Sequence, residues 1–500
     1  MACVTEDFAK KCEIKQNEML GRFVVAATNI KAGETLLLEE PTLVLPNVGD
    51  RRCSNCHKLT NTFCSKCQLL SLCDECAQHE TFDCTRLAEL KAQLQQEEDV
   101  QKLQTHAEIG LALKCLLLRE SQEKQRQFEQ MLQMEAHLEL RRGSEIWCNY
   151  EEQVVAPLQA AGLLAHFRNG DQVNADLLQR LLGILDVNAF EIRAPERESA
   201  MRALYVRAGL FSHSCMPNLM AAIDDERRLK IYANRFIAAG EILYYCYTNV
   251  LLGTEERRHI LKTGKYFDCN CARCLDPTEL GTHLSSFVCA TCACPGGYVV
   301  RQPGSGVWQC LLNAEHTLKP EFVANLLERA KEEIFHAKDD IYRYELLLAK
   351  LSRLLHGNHY VMLDLKQNIA AILRQILQNM AHRPSRKVYE RKIRLCQEIL
   401  LVLKVIQPGI SRLKAIALYE LANTQAELAR KLYSEQEYGA DELLAELQRT
   451  EIMLRESLRM LLYEPIATPE GNLARCMLRE LKELQEDMKL LLVPSVGKAN

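Results

Sequence analysis

The chain has 500 residues, of which 48% are apolar, and 22 of them are cysteines. This length and composition predict a globular protein of about two to four domains. Its 62 Lys and Arg residues are balanced by 66 Asp and Glu residues, for a formal net charge of −4. Because the chain has no run of basic residues that could follow a phosphate backbone, direct binding to nucleic acid is disfavoured.

The apolar residues are not arranged as a secretion or membrane signal. The N-terminus carries acidic residues instead of an apolar signal core, and no stretch reaches the roughly 18 uninterrupted apolar residues that a membrane span needs. We therefore expect a protein of the cytoplasm, the nucleus or both, with no membrane partner. In those reducing compartments clustered cysteines are metal ligands more often than disulfide partners.

Short β-prone runs and helical runs alternate along the first half of the chain. Residues 23–25 and 35–38 flank a Gly-containing turn at 31–34, which predicts a hairpin. From about 85 to 185 leucines recur at helical spacing among polar residues, which predicts a helical insert. Because β-prone runs return between 186 and 250, one sheet is expected to be built from two separated parts of the chain.

From residue 318 onward the pattern is helical. We expect helices near 320–338, 340–356, 359–381, 387–406, 411–433, 440–463 and 472–490, with breaks at Gly and Pro between several of them. Antiparallel helix pairs are the economical packing for such segments. Small and large residues alternate at 415–422 as in a tetratricopeptide repeat, although no period of about 34 residues accompanies them. We interpret 318–500 as an all-α, TPR-like domain.

Fifteen of the 22 cysteines fall into three groups, which are Cys53 to Cys84, Cys215 with Cys269 to Cys274, and Cys289 to Cys310. The first group contains three Cys-x2-Cys pairs and supplies eight ligands within 32 residues: Cys53, Cys56, Cys64, Cys67, Cys73, Cys76, His79 and Cys84. Eight ligands suit two tetrahedral zinc sites. A segment this short buries too little apolar surface to fold alone, so zinc would supply its folding free energy, on the order of 10 kcal/mol per site.

We predict interleaved pairing in this first group. Cys53, Cys56, Cys73 and Cys76 are assigned to one zinc ion, and Cys64, Cys67, His79 and Cys84 to the other. Because the protein supplies all four ligands of each ion, no position is open for a water nucleophile, and both sites are expected to be structural. The sequence also lacks a His-Glu-x-x-His pattern, so a hydrolytic zinc enzyme is disfavoured.

The other two groups are less complete. Cys269, Cys271 and Cys274 supply three thiolates and need a fourth ligand from elsewhere in the chain. The last group could form a zinc ribbon, but a second cysteine pair near its end is missing. It is left out of the predicted metal sites and consists of Cys289, Cys292, Cys294 and Cys310.

The order of these features resembles the split SET and MYND layout of the Smyd family of protein-lysine methyltransferases. The first zinc group resembles a MYND finger, although the gaps around its third cysteine pair and His79 depart from the usual spacing. Residues 211–218 resemble the Asn-His-Ser-Cys-x-Pro-Asn loop of SET domains, whose cysteine commonly joins three post-SET cysteines on one zinc ion. The resemblance therefore implies Cys215 as the ligand that completes the site of the three thiolates.

The resemblance covers nearly the whole chain, and residues 276–282 are similar to the arthropod-type branch of the family. It implies an α+β fold in which a split SET β-fold carries an inserted MYND zinc finger and a helical insert, followed by a C-terminal all-α helical domain. The implied regions are 1–48 as the N-terminal portion of SET, 49–84 as the MYND-type zinc finger, 85–185 as the helical insert, 186–250 as the C-terminal portion of SET, 251–317 as the post-SET zinc region and 318–500 as the TPR-like domain.

The family's chemistry implies a protein-lysine N-methyltransferase that uses S-adenosylmethionine and holds three structural zinc ions. Its substrate would be a lysine of a histone or non-histone protein, and the protein would act in the regulation of gene expression. Its MYND finger would bind peptides or corepressors, and the protein would be a monomer. Tyr247 matches the active-site tyrosine, whose hydroxyl points at the transferred methyl group. The residues that match cofactor-binding positions are Gly21, Arg22, Asn188, Ser212, His213 and Phe267.

Three positions depart from the family pattern. Ser212 replaces an Asn whose amide serves cofactor binding, and only Gly21 remains of a Gly-x-Gly loop. Lys265 stands where a Tyr often lines the lysine channel. These departures favour an alternative hypothesis, a weak or inactive SET scaffold that acts as an adaptor or corepressor through its MYND and helical regions. Cofactor binding distinguishes the two hypotheses.

Overall fold

The computed structural model describes residues 2–94, 96–168, 173–195, 200–292, 295–338, 340–379 and 384–492. Blocks of strands and blocks of helices follow one another up to residue 318, and long helices follow, which confirms the predicted α+β class. Within these ranges no helix is both long and apolar enough to cross a membrane.

Two separated parts of the chain build one β-rich core. The early strands are β1 (Cys12–Asn17), β2 (Gly21–Ala26), β3 (Thr35–Glu39) and β4 (Leu43–Leu45). The later strands are β5 (Phe190–Arg193), β6 (Ala200–Leu204), β7 (Ser212–His213), β8 (Leu219–Ile223), β9 (Leu229–Ala233) and β10 (Tyr244–Tyr245). Their sheets have the orders β1-β2, β3-β9-β8 and β4-β6-β5, and β7 pairs in parallel with β10. Early strands thus pair with strands from the later part of the chain.

The predicted hairpin between residues 23–25 and 35–38 is wrong. β2 pairs with β1, whereas β3 pairs with β9. The segment between them is more than a turn, because Ile30 exchanges two backbone hydrogen bonds of 2.9 Å with Ile237. The chain therefore crosses to another sheet at the place where the sequence pattern predicted a simple reversal.

Apolar side chains from both parts fill the core of these sheets. Val24 and Leu36 from the early strands are fully buried in one cluster with Met201, Phe211 and Ile231. Burying a side chain of this kind contributes about 1.5–3 kcal/mol. Because each part completes the core of the other, neither is expected to fold alone.

Between the two parts lie the first zinc-ligand segment and the helical insert. The helices up to this point of the chain are α1 (Ala2–Lys11), α2 (Thr81–Lys91), α3 (Glu97–Leu103), α4 (Ala107–Glu120), α5 (Gln125–Leu132), α6 (Leu138–Arg141), α7 (Glu145–Tyr150), α8 (Ala156–Ala160) and α9 (Ala175–Asn188). Leu113 of α4 and Leu182 of α9 are fully buried in a core that also contains Cys53 and Cys67. The zinc-ligand segment therefore packs against the insert and is not a free-standing finger.

Beyond β10 a small sheet separates two sets of helices. First come α10 (Thr254–Lys265), α11 (Ala272–Leu275), β11 (Phe287–Val288), β12 (Tyr298–Arg301), β13 (Trp308–Cys310) and β14 (Thr317–Leu318). The C-terminal helices are α12 (Pro320–Ala337), α13 (Ile341–Leu351), α14 (Tyr360–Gln378), α15 (Arg386–Ile406), α16 (Arg412–Ser434), α17 (Ala440–Leu461) and α18 (Pro469–Leu492). They follow the predicted segments closely, and consecutive helices pack against each other.

The C-terminal helices close one side of the β-rich core. The amide of Ile410 donates a hydrogen bond of 2.7 Å to the carbonyl of Asn234. After α17, Tyr463 stacks on Tyr232 of β9 with ring centroids 4.9 Å apart. These contacts bring Pro469, at the start of α18, to the rim of a large cavity.

Candidate active site and metal centres

One large cavity of about 1680 Å³ lies where the β-rich core, the helical insert and the C-terminal helices meet. Typical small-molecule pockets measure roughly 300–1,000 Å³, so this one has room for a cofactor and part of a second molecule. Its lining includes all seven residues that the sequence predicts for catalysis and cofactor binding: Gly21, Arg22, Asn188, Ser212, His213, Tyr247 and Phe267.

Gly21 presents bare backbone at the start of β2. Its φ of +64° is a left-handed conformation that costs other residues about 1–2 kcal/mol. A Cβ atom added at Gly21 would meet nothing within 4 Å, so the backbone borders open space. The neighbouring Arg22 guanidinium donates to the backbone carbonyl of Gln133 at 2.6 Å and to its side-chain oxygen at 3.2 Å. Arg22 therefore ties this strand to the helical insert.

His213 lies between Cys215, a predicted metal ligand, and Tyr247, the predicted active-site tyrosine. The parallel pairing of β7 with β10 brings His213 opposite Tyr245. Nδ1 of His213 accepts a hydrogen bond of 3.0 Å from the amide of Tyr247, and Nε2 lies 3.3 Å from Sγ of Cys215. Burial lowers the pKa of His213 to about 4, so the ring is neutral at pH 7. Since Nδ1 accepts, the proton is on Nε2 and faces the sulfur.

The hydroxyl of Tyr247 is held in place by the backbone. It donates a hydrogen bond of 2.5 Å to the carbonyl of Phe211. Burial raises the pKa of Tyr247 above its usual range, so the hydroxyl stays protonated at neutral pH. A hydroxyl that is fixed and protonated can orient a neighbouring group but does not act as a base at neutral pH.

Lys265 lies against the face of Tyr247. Its ammonium group is 5.6 Å from the centre of the Tyr247 ring and donates to the carbonyl of Val187. Burial lowers the pKa of Lys265 to about 8, with a further contribution from the charge of Arg202. At pH 7 the cavity wall therefore carries a positive charge beside the tyrosine ring.

The remaining predicted cofactor residues, Phe267, Asn188 and Ser212, line the same cavity as His213. The ring centroid of Phe267 is 5.8 Å from that of His213, and this aromatic surface could stack a flat base. Asn188 ends α9, where its amide donates to the carbonyls of Ile184 at 2.8 Å and Glu135 at 2.9 Å. Ser212 offers the cavity a single hydroxyl.

The helical insert contributes cavity residues that the sequence analysis missed. Gln133, Glu135 and His137 line the cavity, and backbone carbonyls of the first two accept hydrogen bonds from Arg22 and Asn188. No motif surrounds these residues, which lie in the connection between α5 and α6. The fold alone brings them to the site.

Three groups of Cys and His side chains have the spacing of metal ligands. Within each group the potential ligand atoms all lie within 4.8 Å of one another. The groups are Cys53, Cys56, Cys73 and Cys76; Cys64, Cys67, His79 and Cys84; and Cys215, Cys269, Cys271 and Cys274. A tetrahedral zinc ion with Zn–S bonds of about 2.3 Å holds its sulfurs about 3.8 Å apart. The twelve ligands named from the sequence thus come together in the groupings expected for them.

The buried guanidinium of Arg257 contacts two sulfurs of the third group. Nε of Arg257 lies 3.2 Å from Sγ of Cys215, and Nη2 lies 3.5 Å from Sγ of Cys274. On its other side Arg257 pairs with Glu279 at 2.8 Å, and Arg273 pairs with the same carboxylate at 2.9 Å. Four thiolates around Zn²⁺ carry a net charge of about −2. The fully buried cation would offset part of this charge where water cannot.

A fourth group corrects the expectation for the last cysteines. Potential ligand atoms of Cys289, Cys292, Cys310 and His316 also lie within 4.8 Å of one another. The sequence analysis left this group out because it looked for a second cysteine pair, whereas a histidine just before β14 takes that place. Cys294, the other member of the predicted group, lies outside the described residues.

Comparison with known proteins places these features in a family context. A SET domain family model matches residues 21–248. The SET domain-containing protein SmydA-8, isoform A, of Drosophila melanogaster is 28% identical over 308 residues, which cover 60% of this chain and 64% of that protein. The histone-lysine N-methyltransferase ASHR1 of Arabidopsis thaliana is 24% identical over 310 residues, or 58% of this chain and 62% of its own. The chain thus matches less than two thirds of either relative.

A shorter sequence match and a more distant structural match were also found. The human histone-lysine N-methyltransferase SMYD3 is 37% identical over 87 residues, which cover 17% of this chain and 20% of that protein. The solved SET domain of LSMT, bound to lysine and AdoHcy, aligns over 98% of this chain and 92% of its own at 12% identity and a TM-score of 0.31, too distant to carry an argument. The SET match itself runs from Gly21 to just past Tyr247 and so spans both β-rich parts.

Proposed function

We propose that this chain, which is similar to Smyd and other SET-domain proteins, is a member of the Smyd family and an S-adenosylmethionine-dependent protein-lysine N-methyltransferase. The observation that carries this proposal is the single cavity that unites Gly21, His213, Tyr247 and Phe267. The cavity is large enough to hold a methyl donor and a lysine side chain together. Residues from both SET parts, the insert and the post-SET region complete it.

The residues around Gly21 and Phe267 fit the donor. S-adenosylmethionine supplies a methyl group that is already activated on a sulfonium sulfur. Gly21 allows a ligand to approach the backbone closely, and Phe267 beside His213 offers a face for the adenine ring. Gln133 and Glu135 of the insert add polar groups on the same side, which supports binding despite the shorter side chain of Ser212.

The surroundings of Tyr247 fit the lysine acceptor. A lysine amine has an ordinary pKa near 10.4 and must lose its proton before its lone pair can bond to the methyl carbon. Desolvation and neighbouring positive charge both favour the neutral amine, and Lys265 supplies such a charge. The Tyr247 hydroxyl, fixed by the carbonyl of Phe211, would orient the amine. Alignment then supplies most of the remaining rate.

Further elements of the proposal concern metals, partners and setting. The three predicted Cys and His groups would bind three structural zinc ions, and the segment 49–84 would bind peptide or corepressor partners as a MYND finger. We propose that the substrate is a lysine of a histone or non-histone protein and that the protein acts in the regulation of gene expression. We also propose that it is a monomer and that it is found in the cytoplasm, the nucleus or both. The match to Drosophila SmydA-8 supports the arthropod-type branch.

A non-catalytic adaptor is the second candidate, and Lys265 favours it. Its ammonium group already lies against the Tyr247 ring and binds the carbonyl of Val187, where a substrate amine would have to approach. In this reading Lys265 blocks the acceptor end, and the protein works through its helical and MYND surfaces.

Methyl transfer from radiolabelled S-adenosylmethionine to cell-extract proteins tests the proposal. The full chain should produce methyl-lysine after hydrolysis of the labelled proteins, and Tyr247→Phe should slow labelling about tenfold to a hundredfold because the acceptor is no longer oriented. Phe236→Ala, an exposed residue outside the cavity, should leave labelling unchanged. Tight donor binding without any methyl-lysine would favour the adaptor.

A further inference from the structure

The sheet β11-β12-β13-β14 is small for a separately folded unit. Its strands are two to four residues long and pair in antiparallel register, with Val299 opposite both Phe287 and Cys310. Strands this short usually need a further crosslink or packing partner to be stable. Phe287, Val299 and Trp308 supply part of this support, because their side chains are buried in one apolar cluster with the C-terminal helices. Four side chains with metal-binding chemistry meet at one end of this sheet.

The distances among these four side chains suit a tetrahedral ion. Sγ of Cys292 is 3.5 Å from Sγ of Cys310 and 3.1 Å from Nδ1 of His316. Sγ of Cys289 is 3.6 Å from the same nitrogen. With Zn–S bonds of about 2.3 Å and Zn–N bonds of about 2.0–2.1 Å, neighbouring ligand atoms should be about 3.5–3.8 Å apart. Two of the three distances lie in this range, and the third needs a shift of a few tenths of an ångström.

Backbone amides already point at two of the sulfurs. The amide of Cys292 lies 3.4 Å from Sγ of Cys289, and the amide of Leu312 lies 3.4 Å from Sγ of Cys310. Such hydrogen bonds favour the thiolate, which is the form that binds metal. The two accepting cysteines are buried, so their thiolates would be costly without a cation.

We propose that Cys289, Cys292, Cys310 and His316 bind a structural zinc ion, in addition to the three sites named above. A set of three cysteines and one histidine from the protein is typical of closed zinc sites with no exchangeable water. Binding would deprotonate the three thiols, and the neutral imidazole would coordinate through Nδ1.

This ion would stabilise the contact between the post-SET region and the C-terminal helices. The amide of Val288 in β11 donates a hydrogen bond of 2.8 Å to the carbonyl of Leu354, in the connection that follows α13. On the opposite flank, Arg301 of β12 pairs with Glu255 of α10 at 2.9 Å. Because the sheet contacts both neighbours, a metal that fixes its strands also fixes how the C-terminal helices meet the core.

Metal analysis of the purified full-length chain tests the site without any enzyme assay. We expect about four zinc ions per chain, and about three in His316→Ala. His316→Cys should restore the fourth ion, because a thiolate can replace the imidazole, whereas a merely packed histidine would not be rescued in this way. Cys148→Ser, which changes an exposed cysteine outside all four groups, should keep about four.

Hydrogen exchange shows which part of the chain is destabilised when the fourth zinc ion is lost. In His316→Ala, amides of residues 287–318 and 354–360 should exchange faster, while those of 53–84 should keep their protection. If His316→Ala does not fold, the wild-type and His316→Cys counts decide. About three zinc ions in the wild-type protein with an unchanged count in His316→Ala would overturn the proposal, as would a Cys292–Cys310 disulfide in protein kept under reducing conditions.

Discussion

The amide of Tyr247 donates a hydrogen bond of 3.0 Å to the imidazole of His213, whose other nitrogen faces the sulfur of Cys215. One neutral ring therefore joins a predicted metal-ligand cysteine to the predicted active-site tyrosine. If a metal left this group, the sulfur of Cys215 would no longer be held in place beside His213, and the backbone that carries Tyr247 would be less firmly anchored. Metal binding by the third group and ligand binding in the cavity are expected to be coupled.

Cys274→Ser tests this coupling, because Cys274 belongs to the third metal group but does not line the cavity. We expect loss of one zinc ion and at least about a tenfold loss in affinity for S-adenosylmethionine, measured by calorimetry. Cys76→Ser in the first group is the matched control and should lose zinc while keeping cofactor affinity within about twofold. Equal losses in both variants would show general unfolding and not coupling.

Gly21→Ala should weaken cofactor binding beyond its effect on stability. The left-handed backbone at Gly21 strains alanine by about 1–2 kcal/mol, and the new methyl group would also enter the space beside the cofactor. Gly240→Ala is matched to it, since Gly240 has a φ of +83°, no atom within 4 Å of an added Cβ and no place in the cavity lining. Both variants should lower the Tm similarly, and Gly21→Ala alone should lower the affinity for S-adenosylmethionine, by about tenfold.

Lys265 should make cofactor affinity depend on pH. Burial lowers its pKa to about 8, so Lys265 is charged below that pH and would repel the sulfonium of S-adenosylmethionine bound in the cavity. Raising the pH from 7 to 9 removes this charge and should increase affinity by about threefold to tenfold. S-adenosylhomocysteine carries no sulfonium charge and should show no such rise, and Lys265→Met should abolish the rise for S-adenosylmethionine. An equal pH dependence in Lys265→Met would assign the effect to another group.

Gly409→Ala should loosen the contact between the C-terminal helices and the core. A Cβ atom at Gly409 would lie 2.1 Å from the backbone oxygen of Asn234, which cannot move aside as a flexible side chain could. Overpacking of this kind costs about 1–3 kcal/mol, which thermal unfolding would detect. Gly357→Ala meets nothing within 4 Å and should leave the Tm nearly unchanged. An unchanged Tm in Gly409→Ala would mean that this contact contributes little.

Sequence patterns within one segment predicted the helices of this fold, but they could not predict which distant strands pair with each other. The helical periodicity beyond residue 318 gave segments close to α12–α18, because Gly and Pro end helices through backbone geometry that is local to them. The hairpin failed because β3 pairs with β9, almost 200 residues away, and nothing near Ile30 in the sequence reveals its partner Ile237.

Site residues that belong to a short motif could likewise be predicted from the sequence, whereas those brought in by the fold could not. Cys-x2-Cys spacing is a local signal, so the first group could be named from the sequence. His316 joins Cys289 across 27 residues, and Gln133 reaches the cavity only through the fold of the insert. Neither residue has a motif around it, because its role depends on which strands and helices meet.

Calorimetric titration of the zinc-loaded, full-length protein with S-adenosylmethionine tests the central claim most directly. The account predicts a dissociation constant on the order of micromolar. Phe267→Ala should weaken binding by at least about tenfold through lost stacking, whereas Phe236→Ala, an exposed phenylalanine outside the cavity, should bind like the wild type. No detectable binding by correctly folded protein with its full zinc content would contradict the methyltransferase and favour the adaptor.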